Sequence, residues 1–199
     1  MLKGFQLFGR AISLWWHEWM HLAFLNIVWL ALQVTIVAGP PATAAMYSVA
    51  QRVSDDEYLD LRHYWQALRQ VFWPAWKWGA LNLAVVIAVA GNFYFYSSAS
   101  GPLIALLRVI WANIAAWWFI INLFYWPFWL AQEDHRMFTT YRNCLVLVSK
   151  KPLFILCLAV LSAALVVVSA LTTLPLAVLL MAWLALLGVL VVKEELKMD

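Results

Sequence analysis

Long stretches without any charged side chain are the feature that most limits how this chain can fold. The longest, residues 152–192, holds no Asp, Glu, Lys or Arg and suffices for two membrane crossings, since one crossing helix needs about 20 apolar residues. Across the 199 residues, hydrophobic side chains make up 66% and charged ones 12%, against roughly 45–50% and about 25% in soluble domains. The sequence therefore predicts an all-α integral membrane protein and excludes a soluble enzyme, a disulfide scaffold and a disordered tail.

Five transmembrane helices are predicted within a single membrane domain, residues 1–199. A Gly-Pro-Pro sequence ends the first span, and a Thr-Thr-Leu-Pro sequence separates the last two, because proline interrupts helical hydrogen bonding. Residues 39–53 are open to two interpretations, a short helix at membrane depth or a re-entrant turn. The five predicted spans cover residues 21–38, 75–96, 103–130, 153–171 and 175–192.

Three further helices are expected at the membrane surface. Residues 2–19 place apolar side chains, several of them tryptophans, every three or four positions, which is typical of an N-terminal interfacial helix. Residues 55–73 and 134–149 are also amphipathic, and each leads through a proline into a span. We predict that both lie on the cytoplasmic surface, and that Ser54 and Glu57 form a capping box that opens the first of them.

The two halves of the chain resemble each other. Asn26 precedes Pro40 by the same interval that separates Asn113 from Pro127. Each half would then contain a span, a proline break, a surface helix and a second span in the same orientation. This pattern predicts a degenerate parallel repeat of the kind that some transporters contain, with the last span added to it. A chance similarity in a chain rich in Trp and Pro is the competing explanation.

Basic residues predict the orientation in the membrane, because short loops rich in Lys and Arg stay in the cytoplasm. With five alternating spans, ten basic residues fall on the side of the two surface helices and the C-terminus, and three fall on the other side. The N-terminus is therefore expected outside and the C-terminus in the cytoplasm. The net charge of +3 is too small an excess to predict nucleic acid as a partner.

Three sets of residues are candidates for function. The basic side chains of the surface helices are expected to dock either a partner or anionic lipid headgroups, and these are Arg62, Arg69, Arg142, Lys150 and Lys151. In some transporters, discontinuous helices expose backbone groups to the substrate. By that criterion the helix breaks and the asparagines near them form a second candidate site, made of Asn26, Pro40, Pro41, Asn113 and Pro127.

A third candidate is a zinc-binding pattern, H-E-x-x-H, formed by His17, Glu18 and His21. On one helix this spacing places two imidazoles on the same face to hold Zn²⁺, with the glutamate as general base. Zinc needs a third protein ligand, and His63 and His135 fall on the opposite side in the predicted topology. We therefore interpret the pattern as polar residues at headgroup level and predict neither a metal nor a cofactor. A zinc peptidase remains a minor alternative.

The chain resembles the YesL-like family of bacterial polytopic membrane proteins. The resemblance rests on Leu-Asn-Ile-Val-Trp at residues 25–29, on the segment 39–47 and on the aromatic and basic segment 64–78. It extends over residues 20–192. The doubled proline at positions 40 and 41 and the H-E-x-x-H string depart from the family pattern.

This resemblance implies a role rather than a reaction. The family has no established molecular function, and its members are often linked to carbohydrate utilisation and sugar ABC importers. It implies a non-enzymatic accessory or partner-docking subunit in the bacterial cytoplasmic membrane, with sugar ABC importer subunits as expected partners besides the lipid bilayer, and it supplies no catalytic residues. The alternative hypothesis is a small transporter or channel, with a homodimer as one arrangement and a site at the repeat interface.

Overall fold

The computed structural model describes residues 2–197, with the side chains of residues 6–173 and 175–197. These residues form ten α-helices and no strand. In chain order, the helices are α1 (Leu2–His17), α2 (Trp19–Val34), α3 (Gly39–Ser54), α4 (Leu61–Gln70), α5 (Phe72–Phe95), α6 (Pro102–Ala131), α7 (Met137–Lys150), α8 (Pro152–Thr172), α9 (Leu174–Val178) and α10 (Leu180–Leu196). Residues 1, 198 and 199 of the predicted single domain lie outside the described residues.

Three of the described helices, α5, α6 and α8, are long and apolar enough to cross a membrane. They correspond to the predicted spans 75–96, 103–130 and 153–171. The prediction of an all-α protein with membrane-spanning helices is thus confirmed, whereas the count of five spans is not. The helix in place of the first predicted span, α2, has only 16 residues.

The fifth predicted span, residues 175–192, is instead divided at Leu179 into the short helix α9 and the buried helix α10. Most residues of α10 are buried, because α1, α2, α3, α6 and α8 all pack around it. Gly188 permits the close approach of α6, since a Cβ atom there would lie 2.9 Å from the carbonyl oxygen of Leu123 and 3.2 Å from Cγ of Pro127. An apolar run in the sequence does not distinguish such a protein-facing helix from a lipid-facing one.

The Gly-Pro-Pro sequence begins a helix as well as ending one. Pro40 and Pro41 occupy the first turn of α3, where a missing backbone N–H costs nothing. The predicted short helix therefore becomes a helix of 16 residues, most of them buried. It packs against α2, α4, α5 and α10. Since α2 and α3 form a helical hairpin, α3 returns the chain towards the end at which α2 begins.

The first surface helix starts later than predicted. Ser54 is the last residue of α3 rather than a cap, and its hydroxyl donates to the carbonyl of Gln51 at 2.7 Å. The capping box is formed by Asp60 and His63, with the Asp60 carboxylate accepting from the backbone N–H of Arg62 at 2.8 Å. The helices α4 and α7 are accordingly shorter than the predicted segments 55–73 and 134–149.

The N-terminal helix α1 packs along α10. The rings of Phe8 and Trp183 meet at 4.9 Å. At its other end, His17 and Glu18 line a cavity together with Asp56 and Glu57 of the α3–α4 loop. The end of α1 and this loop therefore lie at the same end of the molecule, although the predicted topology placed them on opposite sides. The difference arises because α3 is a full helix that carries the chain back.

The predicted repeat is not confirmed. Asn26 is fully buried, whereas Asn113 is exposed on α6. Pro40 begins α3, but Pro127 lies within α6. Equal spacing in the sequence thus corresponds to unlike surroundings in the structure.

Candidate functional site

Charged side chains gather where α3 and α10 end. The ammonium of Lys193 forms an ion pair with Asp55 at 2.6 Å. It also donates to the Ser54 hydroxyl and, at 3.3 Å, to the carbonyl of Gln51. These contacts fasten α10 to the loop that leads into α4. We call this region the charged end of the bundle.

A second ionic cluster fastens α10 to the junction between α7 and α8. The carboxylate of Glu195, only 9% exposed, pairs with Lys151 and lies 3.7 Å from Lys150. Two of the predicted docking residues, Lys150 and Lys151, therefore hold the fold together. Their surroundings favour a structural contribution, since a buried carboxylate needs nearby positive charge.

The three predicted docking arginines have a different setting. Arg62 and Arg69 lie on α4 and Arg142 lies on α7, all three exposed. Within the described part of the chain, none of them forms an ion pair or a side-chain hydrogen bond. Guanidinium groups keep their charge at any physiological pH and offer five N–H donors. These arginines are thus available to an external anion.

Buried aromatic and sulfur side chains fix how the two surface helices lie. On α4, the Tyr64 side chain is fully buried, and its hydroxyl donates to the carbonyl of Ala42 on α3 at 3.3 Å. On α7, Cys144 is fully buried. Burial raises the pKa of the Cys144 thiol and of the Tyr64 phenol. Both groups stay protonated and serve in packing, which leaves the exposed faces of α4 and α7 to carry the arginines.

The candidate substrate residue Asn26 holds the start of α10. Its Oδ1 accepts from the backbone N–H groups of Met181 at 2.8 Å and Ala182 at 3.0 Å. Its Nδ2 donates to the carbonyl of Leu176 at 2.7 Å. The first N–H groups of a helix have no partner within the helix, so Asn26 supplies the cap that α10 lacks in its own sequence. All these bonds are internal to the fold.

The other candidate substrate residues lie elsewhere. Asn113 donates to the carbonyl of Val109 in its own helix at 2.9 Å. Pro127 is buried in α6. Pro40, but not Pro41, lines a cavity of about 360 Å³ between the α2–α3 turn and α5. The structure therefore does not gather these five residues into one pocket.

The cavity beside Pro40 was not predicted from the sequence. Its walls combine aromatic rings with amide and hydroxyl groups, contributed by Gln33, Thr43, Trp76, Trp78 and Asn82 among others. Most of the polar groups are already bonded. Gln33 donates to the carbonyl of Gly39 at 3.1 Å and Trp76 donates to that of Val37 at 2.9 Å. The cavity chiefly offers apolar and aromatic surface.

The zinc-binding pattern does not lie on a continuous helix. α1 ends at His17 and α2 begins at Trp19, with Glu18 between them in a non-helical conformation. Nδ1 of His21 is 3.0 Å from the Glu18 carboxylate. Among residues 2–197, no three His, Cys, Asp or Glu side chains are close enough to hold a metal ion.

The pairing of tryptophan with asparagine that joins α5 to α6 was not predicted from the sequence. The indole N–H of Trp118 donates to Oδ1 of Asn82, and that of Trp78 donates to Oδ1 of Asn122, both at 2.8 Å. Each asparagine also donates to the backbone carbonyl of the tryptophan four residues before it. The spacing W-x-x-x-N occurs in both helices and is the signal that would have revealed this pairing.

A comparison with known families agrees with the sequence analysis. Residues 22–93 match the family model described as a protein of unknown function, DUF624. The match covers α3 and α4 and most of α2 and α5. No curated protein and no solved structure matches the chain. YesL-like proteins belong to DUF624, and the resemblance of this chain to that family is confirmed over residues 22–93.

Proposed function

We propose that this protein is a non-enzymatic accessory subunit of the bacterial cytoplasmic membrane that docks a partner through α4 and α7. The observation that supports this proposal is the contrast between two sets of basic residues. Arg62, Arg69 and Arg142 are exposed and form no ion pair among the described residues. Lys151 and Lys193, by contrast, are paired with acidic side chains of the fold.

The arginine-bearing helices are well suited to docking because their inner faces are fixed. Tyr64 anchors α4 to α3, and buried Cys144 anchors α7. Rigid presentation lowers the entropic cost of association. Positive side chains at a binding surface steer an acidic partner to it and select against basic ones.

The expected partner is a subunit of a sugar ABC importer. This part of the proposal depends on the resemblance to the YesL-like family and not on a contact in the structure. Anionic lipid headgroups are the competing ligand for the same arginines, since a basic residue near the cytoplasmic leaflet gains about 1 kcal/mol from its surface potential.

We further propose that the charged end faces the cytoplasm. Arg52, Lys150, Lys151 and Lys193 lie at this end, and basic residues are enriched on the cytoplasmic side of membrane proteins. Phe8 contacts Trp183 near the start of α10, so the N-terminal part of α1 would lie towards the outside. The C-terminal end of α10 would then be cytoplasmic.

Affinity purification from native membranes tests the docking proposal. The full chain, the triple variant Arg62→Ser/Arg69→Ser/Arg142→Ser and the matched control Arg52→Ser are purified in mild detergent and their bound proteins are identified by mass spectrometry. Arg52 is a suitable control because it is already paired with Glu57 at 2.8 Å. We expect importer subunits in a fixed ratio with the native chain and the control, and their loss with the triple variant.

Two outcomes would contradict the proposal. Importer subunits that remain bound to the triple variant would show that the arginines do not form the docking surface. Purification of the native chain with lipid alone would favour headgroup binding instead.

A small transporter is the second candidate function, and the cavity of about 360 Å³ beside Pro40 supports it. A flux assay in proteoliposomes tests it with Leu83→Trp, because the exposed side chain of Leu83 lines the cavity and a larger side chain there would occupy it. Substrate flux with the native chain and its loss in the variant is the expected result. Absence of flux with the native chain would exclude this function for the substrates assayed.

A further inference from the structure

We propose that two copies of this chain associate in the membrane through one face of α6, with Asn113 of each copy paired to Asn113 of the other. The face is made of Leu106, Val109, Ile110, Asn113, Ala116 and Trp117, all exposed. We call it the Asn113 face. It is separate from the docking arginines, so this proposal does not depend on the proposed function.

The Asn113 face points away from α5. Asn122 on the same helix accepts a hydrogen bond from Trp78 of α5. Asn113 and Asn122 are nine residues apart, which at about 100° per residue places them on opposite sides of α6. The residues of α6 that face α5, such as Trp111 and Trp118, are partly buried, whereas Asn113 is exposed.

Asn113 also lies near the middle of the membrane. The pairs Trp78–Asn122 and Asn82–Trp118 set the antiparallel register of α5 and α6. Continuing that register places Asn113 level with Ile87 of α5. Ile87 is about 15 Å along the helix from Lys77 and about 15 Å from Ser97 after α5, which is half the thickness of the hydrocarbon core on each side.

A carboxamide at this depth requires a partner that lipid does not supply. Nδ2 of Asn113 donates to the carbonyl of Val109, and no described residue donates to its Oδ1. Acyl chains offer no hydrogen-bond donor, and unpaired polar groups are costly in hydrocarbon. A polar side chain on a lipid-facing helix is therefore expected to bond across a helix–helix interface.

The spacing of the face identifies a second copy of the chain as that partner. On this face Leu106 and Asn113 are seven residues apart, as are Val109 and Ala116, and Ile110 and Trp117, which is the heptad spacing of paired helices. A single asparagine in such a pattern fixes the register of two identical helices. Copies inserted in the same orientation are related by a two-fold axis normal to the membrane, and an axis through this face brings each Asn113 opposite the other. The amide is both donor and acceptor, so the pair is self-complementary.

Cross-linking in native membranes tests this geometry directly. In a Cys157→Ala background, which removes the exposed thiol, Asn113→Cys is compared with the neighbouring control Ile114→Cys under mild oxidation. Ile114 is 41% exposed and lies at the same depth, but it is turned about 100° from Asn113. We expect a disulfide-linked dimer with Asn113→Cys and little with the control, because a disulfide forms only when the two Cβ atoms come within about 4.5 Å.

A second measurement tests the hydrogen bond itself. Dimerisation in lipid vesicles is followed by energy transfer for Asn113→Leu and for the control Asn92→Leu, whose amide bonds to Ala88 of its own helix. We expect Asn113→Leu to raise the dimer dissociation constant roughly 3- to 20-fold and Asn92→Leu to leave it unchanged. The leucine side chain does not compensate for the lost hydrogen bond, because an apolar side chain gains no hydrophobic free energy when it moves from lipid into a helix–helix interface.

Three results would overturn the proposal. Equal cross-linking at positions 113 and 114 would show that the contact between copies is not limited to the Asn113 face. Cross-linking of Asn113→Cys to another protein would show that the partner is not a second copy. An unchanged dissociation constant for Asn113→Leu would exclude the amide pair.

Discussion

The indole N–H of Trp78 donates to Oδ1 of Asn122 across 2.8 Å, which joins α5 to α6. The bond from Trp118 to Asn82 repeats this contact in the opposite direction. Between these contacts and the loop that joins the two helices, most of α5 and α6 is not buried by other parts of the protein. The two Trp–Asn bonds therefore hold one end of the hairpin together, and Arg108 of α6, which donates to the carbonyls of Tyr96 and Ala99, holds the other.

We expect Asn82→Leu and Trp118→Phe each to lower the stability of the hairpin by about 0.6 to 1.7 kcal/mol, the range for hydrogen bonds between membrane helices. The double variant should cost less than the sum of the two single changes, because both remove the same bond. Unfolding in SDS titrations of the purified protein measures these energies. Asn92→Leu is the matched control, since its amide bonds only within α5. Fully additive single effects would contradict a direct bond.

Asn26 caps a helix that begins some 150 residues later in the chain. Asn26→Leu leaves two N–H groups at the start of α10 and one carbonyl of α9 without partners. Each unpaired buried group costs about 1–3 kcal/mol, so we expect a loss of at least 2 kcal/mol in the same titration. A loss equal to that of Asn92→Leu would show that Asn26 does not support α10.

Two lysines share the buried carboxylate of Glu195. Lys151→Met alone should cost about 1 kcal/mol, because the ammonium of Lys150 remains 3.7 Å from the Glu195 carboxylate. Lys150→Met/Lys151→Met leaves a buried carboxylate without these partners, and we expect a loss of about 3–5 kcal/mol. Thermal unfolding in detergent measures both changes. Arg136→Met is the control, since its pair with Asp134 is exposed and worth at most about 1 kcal/mol. Equal losses in the single and double variants would contradict this account.

We expect the rate at which maleimide labels Cys144 to depend only weakly on pH. An ordinary cysteine gains thiolate between pH 7 and 9 because its pKa is about 8.5. Burial raises the pKa of Cys144, so its thiol stays protonated over this range. In a Cys157→Ala background we expect little reaction with maleimide at either pH in the folded protein and full reaction in SDS. A tenfold rise per pH unit in the folded protein would contradict the burial of Cys144.

The position of the charged end predicts which residues share one side of the membrane. In the Cys157→Ala background, Arg62→Cys and Arg142→Cys should react with an impermeant reagent from the same side, and Ser98→Cys from the other. The reason is that α5 and α6 run antiparallel, so the loop between them lies at the far end from α4 and α7. Labelling of positions 62 and 142 from opposite sides would contradict the arrangement.

The sequence predicted the helices that face lipid better than those that face protein. The predicted spans 75–96, 103–130 and 153–171 closely match α5, α6 and α8 because a long uncharged run and its flanking breakers are local signals. The run at 175–192 is equally apolar, yet it is mostly buried in α10. The length and composition of this run do not show whether lipid or protein surrounds the helix that it forms.

The candidate sites show the same limit. The exposure of Arg62 and Arg69 follows from the amphipathic pattern of α4. The pairing of Lys151 with Glu195 joins residues 44 positions apart, so no local sequence pattern predicts it. The equal spacing of Asn26 and Asn113 suggested equivalence, but one amide caps α10 and the other faces outward. Contacts between distant segments decide such roles.

The central position of α10 has a consequence for the order of assembly in the cell. Asn26 is about 155 residues ahead of the backbone N–H groups that it binds. At a translation rate of about 5–20 residues per second, the ribosome needs roughly 8 to 30 s to synthesise that stretch. For most of this interval α1, α2 and α3, which later pack around α10, exist without the helix that joins them. The early helices must therefore persist as a loosely packed intermediate, which is the stage at which membrane chaperones and quality-control proteases would encounter this chain.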